Sequence, residues 1–260
     1  MDRDNNSSLQ FVDTLVRGKL TAIAGGGGKT SCMIFLADLC RKVGLQVLIT
    51  TTTHLQMPTE RDYGYDTLHI GNMLPKGERD GGSTTFWYNT VIVEKQRVSG
   101  PDPEQISKVS AVGVFDRILV EVDGSRGRPL KVPGANEPVI PEGTDTVIGV
   151  IGLECLGKPA DSNTVHRIDQ YQHITGEIPG SIIKLETLAA LTKADNGIFK
   201  GAPDQAEKIL FLNQADTVTE ACRNSLADFF LSRVYSINAV VVAALQPEAV
   251  IYDYKVRNKL

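Results

Sequence analysis

The sequence predicts an α/β protein of three layers, in which a mostly parallel central sheet lies between helices on both faces. Two observations indicate this class. Apolar runs of strand length alternate with helix-like segments along most of the chain, and strands buried on both faces of a parallel sheet read as continuous apolar runs. A run of glycines also joins one such strand to a helix, and ligands of these folds bind at the carboxyl ends of the strands.

The first half of the chain alternates strands and helices around one irregular segment. A helix predicted from Thr30 to about Val43 ends before Gly44, a usual helix stop. Residues 54–100 form an irregular insertion, in which the aromatic and β-branched run Thr84–Val98 predicts an antiparallel hairpin at a sheet edge. The strands expected here are Leu20–Ala24, Val47–Thr50, Thr67–Ile70 and Ile118–Asp123, and the other helices are 9–17 and 103–111.

The second half continues the alternation with strands rich in Val, Ile and Leu. Such residues favour strands that are covered on both faces. The predicted strands are Thr146–Ile151, Lys208–Asn213 and Ala239–Ala243, and the predicted helices are Ile182–Thr192 and Thr217–Phe230.

Composition sets the size of the fold and excludes some functions. The chain has 260 residues, of which 42% are hydrophobic and 22% charged, as in an ordinary globular protein. This length predicts a single domain over residues 1–260, with a disordered tail at residues 1–8. The net charge of −4 leaves no basic footprint, so neither a nucleic acid nor a membrane surface is an expected partner.

Cysteine usage and the amino terminus indicate a cellular compartment. The four cysteines lack C-x-x-C spacing, and those within helical patterns are interpreted as small buried hydrophobic residues. No segment is long and apolar enough to cross a bilayer, and residues 1–8 do not have the pattern of a signal peptide. We therefore expect a cytoplasmic protein.

The glycine run between the first strand and the first long helix indicates a phosphate-binding loop. Glycine lets backbone N–H groups turn toward an anion, and the helix N-terminus adds partial positive charge. The Lys29 ammonium is expected to reach the β- and γ-phosphates of a nucleotide, and the Thr30 hydroxyl to hold Mg²⁺. The expected nucleotide-binding residues of this loop are Gly25, Gly26, Gly27, Gly28, Lys29, Thr30 and Ser31.

The loop departs from two common forms of this motif. The pattern G-x-x-x-x-G-K-[ST] requires glycine where Ile23 stands, and a second variant requires lysine where Ala24 stands. The alternative is a flexible glycine tract that happens to precede Lys29. Glycine loses backbone entropy in strands and helices, so a glycine run placed between a strand and a helix favours the phosphate loop.

Two carboxylates close the strand Ile118–Asp123. Side chains alternate along a strand, so Glu121 and Asp123 are expected on the same side. Buried carboxylates are costly unless a cation meets them, and the Mg²⁺ of a nucleotide is the natural partner. Asp123 is the first choice for the metal, and Glu121 either shares that role or orients a water. The alternative is a solvated pair of acids at a strand end.

A run of hydroxyl side chains, Thr50–His54, follows the second strand at the same edge of the sheet. The hydroxyls and the His54 imidazole can order water, Mg²⁺ or a substrate. The alternative is a strand end followed by a helix cap.

Cations follow the acidic strand. Arg126, Arg128 and Lys131 lie in a loop rich in Gly and Pro, where they either clamp an anionic substrate or belong to a solvated surface loop. The pair His166-Arg167 is a weaker candidate for holding an anion.

The segment Asn213–Asp216 follows a late buried strand and resembles the Asn-Lys-x-Asp element with which GTPases recognise guanine. In that element the carboxylate, here Asp216, accepts from the guanine N–H groups. Gln214 stands in place of the lysine, so the choice between guanine and adenine stays open. The alternative role for Asp216 is to cap the helix predicted over 217–230.

Together these segments resemble the YqeC family. The resemblance covers about residue 15 to about residue 245, and its most specific part runs from Glu121 through Pro141. The family loop Gly-x-Gly-Gly-Lys-Thr is satisfied by Gly25–Thr30, while Gln214 is the main departure.

The resemblance implies a P-loop NTPase that uses Mg²⁺ with ATP or GTP. It also implies an accessory or maturation role for a selenium-dependent molybdenum hydroxylase, which would be a partner. In such an NTPase Lys29 would stabilise charge on the transferred phosphate, and Thr30 and Asp123 would organise Mg²⁺. Glu121 or His54 would place the attacking water.

Two other functions stay open. A small-molecule kinase would use the same loop and hold its substrate with Arg126, Arg128 and His54. A non-hydrolysing binding protein would dock to a partner enzyme according to its bound nucleotide. Homodimerisation across the nucleotide edge is a further expectation.

Overall fold

The computed structural model describes residues 11–77 and 81–257, which divide into two compact units. The first unit contains Met1–Ile23, Cys32–Asp123 and Val139–Thr146, and the second contains Ala24–Ser31, Gly124–Pro138 and Val147–Leu260. The expected tail at residues 1–8 lies outside the described residues, and the single domain stays a prediction.

The α/β class is confirmed, because nine strands of the described residues belong to one large, mostly parallel sheet that helices flank. Several strands, such as β1 and β13, are buried along their whole length, as their continuous apolar sequences predict. In chain order the strands are β1 (Leu20–Gly25), β2 (Gln46–Thr51), β3 (His54–Gln56), β4 (Thr67–Ile70), β5 (Ser83–Tyr88), β6 (Thr90–Ile92), β7 (Arg97–Ser99), β8 (Arg117–Glu121), β9 (Leu130–Lys131), β10 (Thr146–Gly152), β11 (Val165–His166), β12 (Glu207–Asn213), β13 (Ala239–Ala244) and β14 (Val250–Val256).

Two α-helices begin within one residue of the predicted position, two begin three residues later than predicted, and one is an addition. They are α1 (Lys29–Lys42), α2 (Pro103–Val112), α3 (Ile168–Thr175), α4 (Leu185–Lys193) and α5 (Glu220–Arg233). Helix α3 has no counterpart in the sequence prediction. Residues 11–15 are helical and fall within the helix predicted over 9–17, whose first two residues lie outside the described part of the chain. No helix of the described residues has the length and apolar character needed to cross a bilayer.

In the first unit the strand order is β1–β8–β2–β5–β4, and each neighbouring pair is parallel. The register aligns Glu121 at the end of β8 with Ile23 of β1 and with Thr51 of β2. The carboxyl ends of these three strands therefore lie at one edge of the unit.

The predicted hairpin over Thr84–Val98 is only partly right. Its first part is β5, which is parallel to β2 and belongs to the large sheet. The antiparallel pair is shorter, β6 with β7, and it joins β3 in a separate three-stranded sheet. The aromatic run Phe86–Tyr88 is buried, which explains why it lies in the large sheet rather than in a hairpin at its edge.

In the second unit the strand order is β10–β12–β13–β14. Strand β13 is parallel to β12 and antiparallel to β14. Strand β14 is absent from the sequence prediction. A short parallel pair, β9 with β11, forms a second sheet and aligns Lys131 with His166.

Candidate functional site

The glycine loop connects β1 to α1. Strand β1 ends at Gly25 and α1 begins at Lys29. Gly25, Gly27 and Gly28 have φ angles of +102°, +70° and +111°, in the left-handed region that residues with a Cβ rarely adopt. Glycine therefore stands where this backbone path requires it, which supports the interpretation as a formed loop over that of a flexible tract.

Close packing within the second unit fixes the path of the loop. The Gly26 N–H donates to the Val150 carbonyl oxygen at 2.9 Å, and the Gly27 N–H donates to the Arg128 carbonyl oxygen at 3.0 Å. A Cβ on Gly27 would lie 2.2 Å from the Gly152 nitrogen, closer than any side chain can approach. The loop is thus held from two sides by backbone groups.

Lys29 is folded back onto the loop. Lys29 is 4% exposed, and its Nζ donates to the Gly25 carbonyl oxygen at 2.8 Å. Thr30 and Ser31, in the first turn of α1, are half-buried. A buried ammonium beside the N-terminal end of a helix gives this turn the electrostatic character of an anion site.

Asn213 ties the glycine loop to the end of β13. The residue is 4% exposed. Its Nδ2 donates to the Gly27 carbonyl oxygen at 2.7 Å, and its Oδ1 accepts from the Leu245 N–H at 3.1 Å. The first residue of the Asn-x-x-Asp segment therefore supports the loop directly.

The remaining residues of that segment are arranged differently. Gln214 adopts a left-handed φ of 60°, and its Nε2 donates to Glu154 Oε2 at 3.3 Å. Asp216 is exposed, within a short 3-10 turn. Helix α5 is capped instead by Thr219, whose hydroxyl oxygen accepts from the Cys222 N–H. The alternative role of Asp216 as a helix cap is therefore wrong, because α5 begins later than predicted.

The two acidic candidates lie in the first unit and are both buried. Glu121 is 6% exposed and Asp123 is 1% exposed. Strand β8 ends at Glu121, so Asp123 stands beyond the strand, where strand alternation no longer determines the side on which a side chain lies. Two carboxylates at such low exposure carry a high desolvation cost that a cation offsets.

The charge of Glu121 acts on a neighbouring thiol. Burial, and after it the negative charge of Glu121, raises the pKa of Cys32 far above its usual value. Cys32 is therefore a neutral thiol at physiological pH, in agreement with its interpretation as a small buried hydrophobic residue.

The threonine run after β2 is engaged in structural hydrogen bonds. Thr50 Oγ1 donates to the Trp87 carbonyl oxygen and Thr51 Oγ1 to the Glu121 carbonyl oxygen, each at 2.7 Å. Thr52 Oγ1 donates to the Val139 carbonyl oxygen at 2.9 Å. These hydroxyl groups bond the end of β2 to its neighbours, which favours the strand-end part of the alternative. Its second part, a helix cap, is wrong, because strand β3 follows the run.

His54 lies apart from the strand end that precedes it. It begins β3, where it pairs with Ser99 of β7, and its side chain is exposed. The short sheet of β3, β7 and β6 thus determines the position of this imidazole.

The two arginines of the cationic loop differ in environment. Arg128 Nε donates to the Ser162 carbonyl oxygen at 2.6 Å, which holds the loop against the following segment. Arg126 is exposed and has a left-handed φ of 51°. Arg126 is therefore the more exposed of the two, and Arg128 is half-buried and held through its Nε.

A cluster of charged residues adjoins this loop, and only part of it was noticed in the sequence. Lys131 Nζ lies 2.7 Å from Glu137 Oε2, and Arg167 Nη2 lies 2.9 Å from Glu137 Oε1. Burial alone would raise the pKa of Glu137, but Lys131 and then Arg167 hold it below its usual value. Burial, and after it the charges of Lys131, Arg167 and Arg126, lowers the pKa of His166 to about 4. No sequence spacing relates Glu137 to the basic residues, so this carboxylate was missed.

A cavity of about 320 Å³ in the second unit also escaped the sequence analysis. It lies along α3, and its polar lining comes from Asp169, Gln170, His173, Asn196 and Lys200. Among the residues that the structure describes, no group of three or more His, Cys, Asp or Glu side chains is arranged to hold a metal ion. A magnesium ion that is bound through one or two carboxylates, water and phosphate does not need such a group.

Comparison with known proteins assigns this chain a family. The family model described as "YqeC protein" matches residues 21–169, which include the glycine loop, Glu121 and Asp123. The chain is 36% identical over 211 residues to the Escherichia coli (strain K12) protein that bears the name "Uncharacterized protein YqeC". The alignment covers 81% of this chain and 80% of that relative. No solved structure matches the chain.

Proposed function

Since the chain belongs to the YqeC family, we propose that it is a Mg²⁺-dependent P-loop nucleotide-binding protein. The reaction in this proposal is hydrolysis of ATP or GTP. The proposal extends to an accessory or maturation role for a selenium-dependent molybdenum hydroxylase, which rests on the family resemblance alone.

The geometry of the glycine loop is the observation that carries the proposal. Three glycines in left-handed conformations turn the backbone between β1 and α1, and Lys29 lies against Gly25 at the start of the helix. The Gly26 and Gly27 N–H groups bond backbone carbonyl oxygens, so the turn serves to place the N-terminus of α1 and the Lys29 ammonium side by side. A helix N-terminus with one point charge beside it favours an anion. Phosphate groups of a nucleotide have the charge and size that this arrangement favours.

The donor set is compatible with Mg²⁺. The candidate ligands are the hydroxyl of Thr30, at the first turn of α1, and the carboxylate of Asp123, and oxygen ligands of this kind are those that Mg²⁺ prefers. A bound Mg²⁺ would neutralise charge on the phosphates. Lys29 would add a positive charge near the transferred phosphate, and Glu121 would accept a proton from, or orient, a water.

The segment Asn213–Asp216 is compatible with either guanine or adenine as the base of the bound nucleotide. Asn213 bonds the loop, as a residue that supports nucleotide binding would. Gln214 bonds Glu154, so guanine recognition would depend on the exposed carboxylate of Asp216. If Asp216 reads guanine, GTP binds more tightly than ATP.

Calorimetric titration of GTP and ATP, with and without Mg²⁺, tests the proposal. Lys29→Ala should abolish binding, or weaken it at least about tenfold, because a charged hydrogen-bond donor to phosphate is lost. Lys42→Ala is the matched control, since this lysine lies in the last turn of the same helix and is exposed. Binding of either nucleotide to Lys29→Ala as tightly as to the wild type would rule out the phosphate-loop assignment.

A second candidate, a small-molecule kinase, is favoured by the cationic residues that adjoin the glycine loop. The Gly27 N–H bonds Arg128, two residues from the exposed Arg126. In a kinase, release of the nucleoside diphosphate would depend on an added acceptor molecule. Release at the same rate with and without any acceptor would favour the NTPase.

A further inference from the structure

We infer that Arg126, His166 and Arg167 form a binding site for a small molecule that carries a phosphate group, adjoining the glycine loop. The site would hold the second ligand of the protein, and in that sense it deepens the proposed function. Its residues all lie in the second unit.

The topology of the short sheet brings these residues together. Strands β9 and β11 pair in parallel, which places Lys131 opposite His166 although 35 residues separate them in the chain. The Leu130 N–H donates to the Thr164 carbonyl oxygen, and Arg128 Nε donates to the Ser162 carbonyl oxygen. Three contacts therefore join the cationic loop to the segment that leads into His166 and Arg167, namely the β9–β11 pair and these two hydrogen bonds.

The charges within this group do not cancel. Lys131 and Arg167 share one carboxylate, Glu137, at 2.7 Å and 2.9 Å. Arg126 contributes a further positive charge that acts on His166. Lys131 and Arg167 with their one carboxylate have a net charge of +1, and Arg126 on the adjoining loop raises the total to +2. A doubly charged oxyanion such as a phosphate monoester matches that excess.

The structure separates the groups that can bind a ligand from those that build the site. Lys131 is buried under Glu137 and Arg128 is bonded to Ser162, so both have structural roles. Arg126 is an exposed residue, and the side chain of Arg167 is 34% exposed. Guanidinium groups bind phosphate through pairs of N–H bonds.

The imidazole of His166 completes the set as an uncharged group. Its surroundings favour the neutral ring, which offers one N–H donor and one acceptor nitrogen. A neutral ring on a residue that pairs with Lys131 and precedes Arg167 can therefore bond a phosphate hydroxyl or a phosphate oxygen. Because the neutral His166 ring can both donate and accept a hydrogen bond, the site differs from a simple patch of positive charge.

The position of the site relates it to the nucleotide loop. The carbonyl oxygen of Arg128 accepts from the Gly27 N–H, and that of Pro129 accepts from the Gly152 N–H. A Cβ on Gly26 would lie within 2.8 Å of the Arg128 oxygen. The turn that carries Arg126 is therefore in direct contact with the glycine loop of the same unit.

Titration of inorganic phosphate into Lys29→Ala protein tests the inference, because this background weakens any binding of phosphate at the glycine loop. Adding Arg126→Asn should weaken the remaining phosphate binding at least about tenfold, as expected when a charged hydrogen bond is lost. Asparagine tolerates the left-handed conformation of this position, so the fold should persist. Arg233→Asn, which removes another exposed arginine of the second unit, is the matched control and should bind as the background does.

Histidine NMR gives a second readout that does not depend on activity. Added phosphate should shift the ring signal of His166 and leave that of His69, on β4, unchanged. Equal phosphate affinity with and without Arg126, or an unmoved His166 signal, would overturn the inference while leaving the nucleotide test intact. Conversely, nucleotide binding that survives Lys29→Ala would reject the proposed function and leave the phosphate site standing.

Discussion

Asn213 illustrates how one side chain can support a loop that lies far away in the sequence. Its amide bonds Gly27, 186 residues earlier in the chain, and also the Leu245 N–H after β13. A Cβ on Gly28 would lie 2.3 Å from its Nδ2. The side chain is therefore in close contact with the loop, and any base recognition by this segment would fall to the residues that follow it.

His166 should make the stability of the protein depend on pH. Its folded pKa is about 4, below the value of about 6.5 for an unperturbed imidazole. The unfolded chain then binds more protons between these values, so the free energy of unfolding should fall as pH falls from about 6.5 to about 4. His166→Asn should lose less stability over this window than the wild type, as measured by urea denaturation at several pH values.

His54→Asn is the control for this experiment, since His54 is exposed and lies in the first unit. It should retain the pH dependence of the wild type. Glu137 contributes with the same sign at lower pH, because its folded pKa also lies below the usual value. An NMR titration midpoint of His166 at or above 6.5 would contradict the expectation directly.

At the level of elements, glycine is required in the loop for two reasons, a left-handed backbone conformation and the lack of room for a Cβ. The two contributions to stability can be measured separately. Gly27 has φ of +70° and no room for a Cβ, whereas Gly157 has φ of +77° and nothing within 4 Å of a built Cβ. Gly157→Ala should therefore cost only the left-handed strain, about 1–2 kcal/mol. Gly27→Ala should cost about 1–3 kcal/mol more, because its methyl group also meets the backbone of Gly152.

Urea denaturation of the two alanine variants measures this difference. Gly27→Ala should in addition lose nucleotide affinity, while Gly157→Ala should keep it. Equal losses of stability in the two variants would mean that the loop can shift away from Gly152, and that its shape is not fixed by packing.

The elements that the sequence predicted well are those with one dominant physical signal. The strands Leu20–Ala24 and Ala239–Ala243 are continuous apolar runs, and the structure extends each by one residue. Strand β14 was missed because its residues alternate between exposed and half-buried positions and are interrupted by charges. The hairpin boundary was wrong because β-branched and aromatic residues favour strands without indicating which sheet they join.

The parts of the candidate site also differ in how well the sequence predicts them. The glycine loop could be predicted because all its residues are consecutive. The Asn213–Gly27 bond and the Lys131–Glu137–Arg167 cluster depend on tertiary contacts between distant segments. A single sequence carries no signal for such contacts, since neither periodicity nor spacing relates the residues involved.

For the molecule as a whole, the chain contains an internal reporter for cooperativity. Its only tryptophan, Trp87, lies in the first unit, whereas the glycine loop lies in the second. A single domain, as the length of the chain predicts, should unfold in one transition in which Trp87 fluorescence and circular dichroism coincide. Two transitions would instead mean that the units unfold separately.

Nucleotide binding should shift this transition through mass action. A ligand that binds only the folded chain stabilises it by about 2.7 kcal/mol at a concentration of one hundred times its Kd. With Mg²⁺ and nucleotide at that level, both signals should move together to higher urea in the wild type and in Lys42→Ala. In Lys29→Ala the stabilisation should be at most about 1.4 kcal/mol, the value for a Kd ten times higher. A shift of the circular dichroism transition alone, with the Trp87 transition unchanged, would show that the nucleotide stabilises only the unit that carries the loop. That outcome would reject the single cooperative domain and retain the phosphate loop.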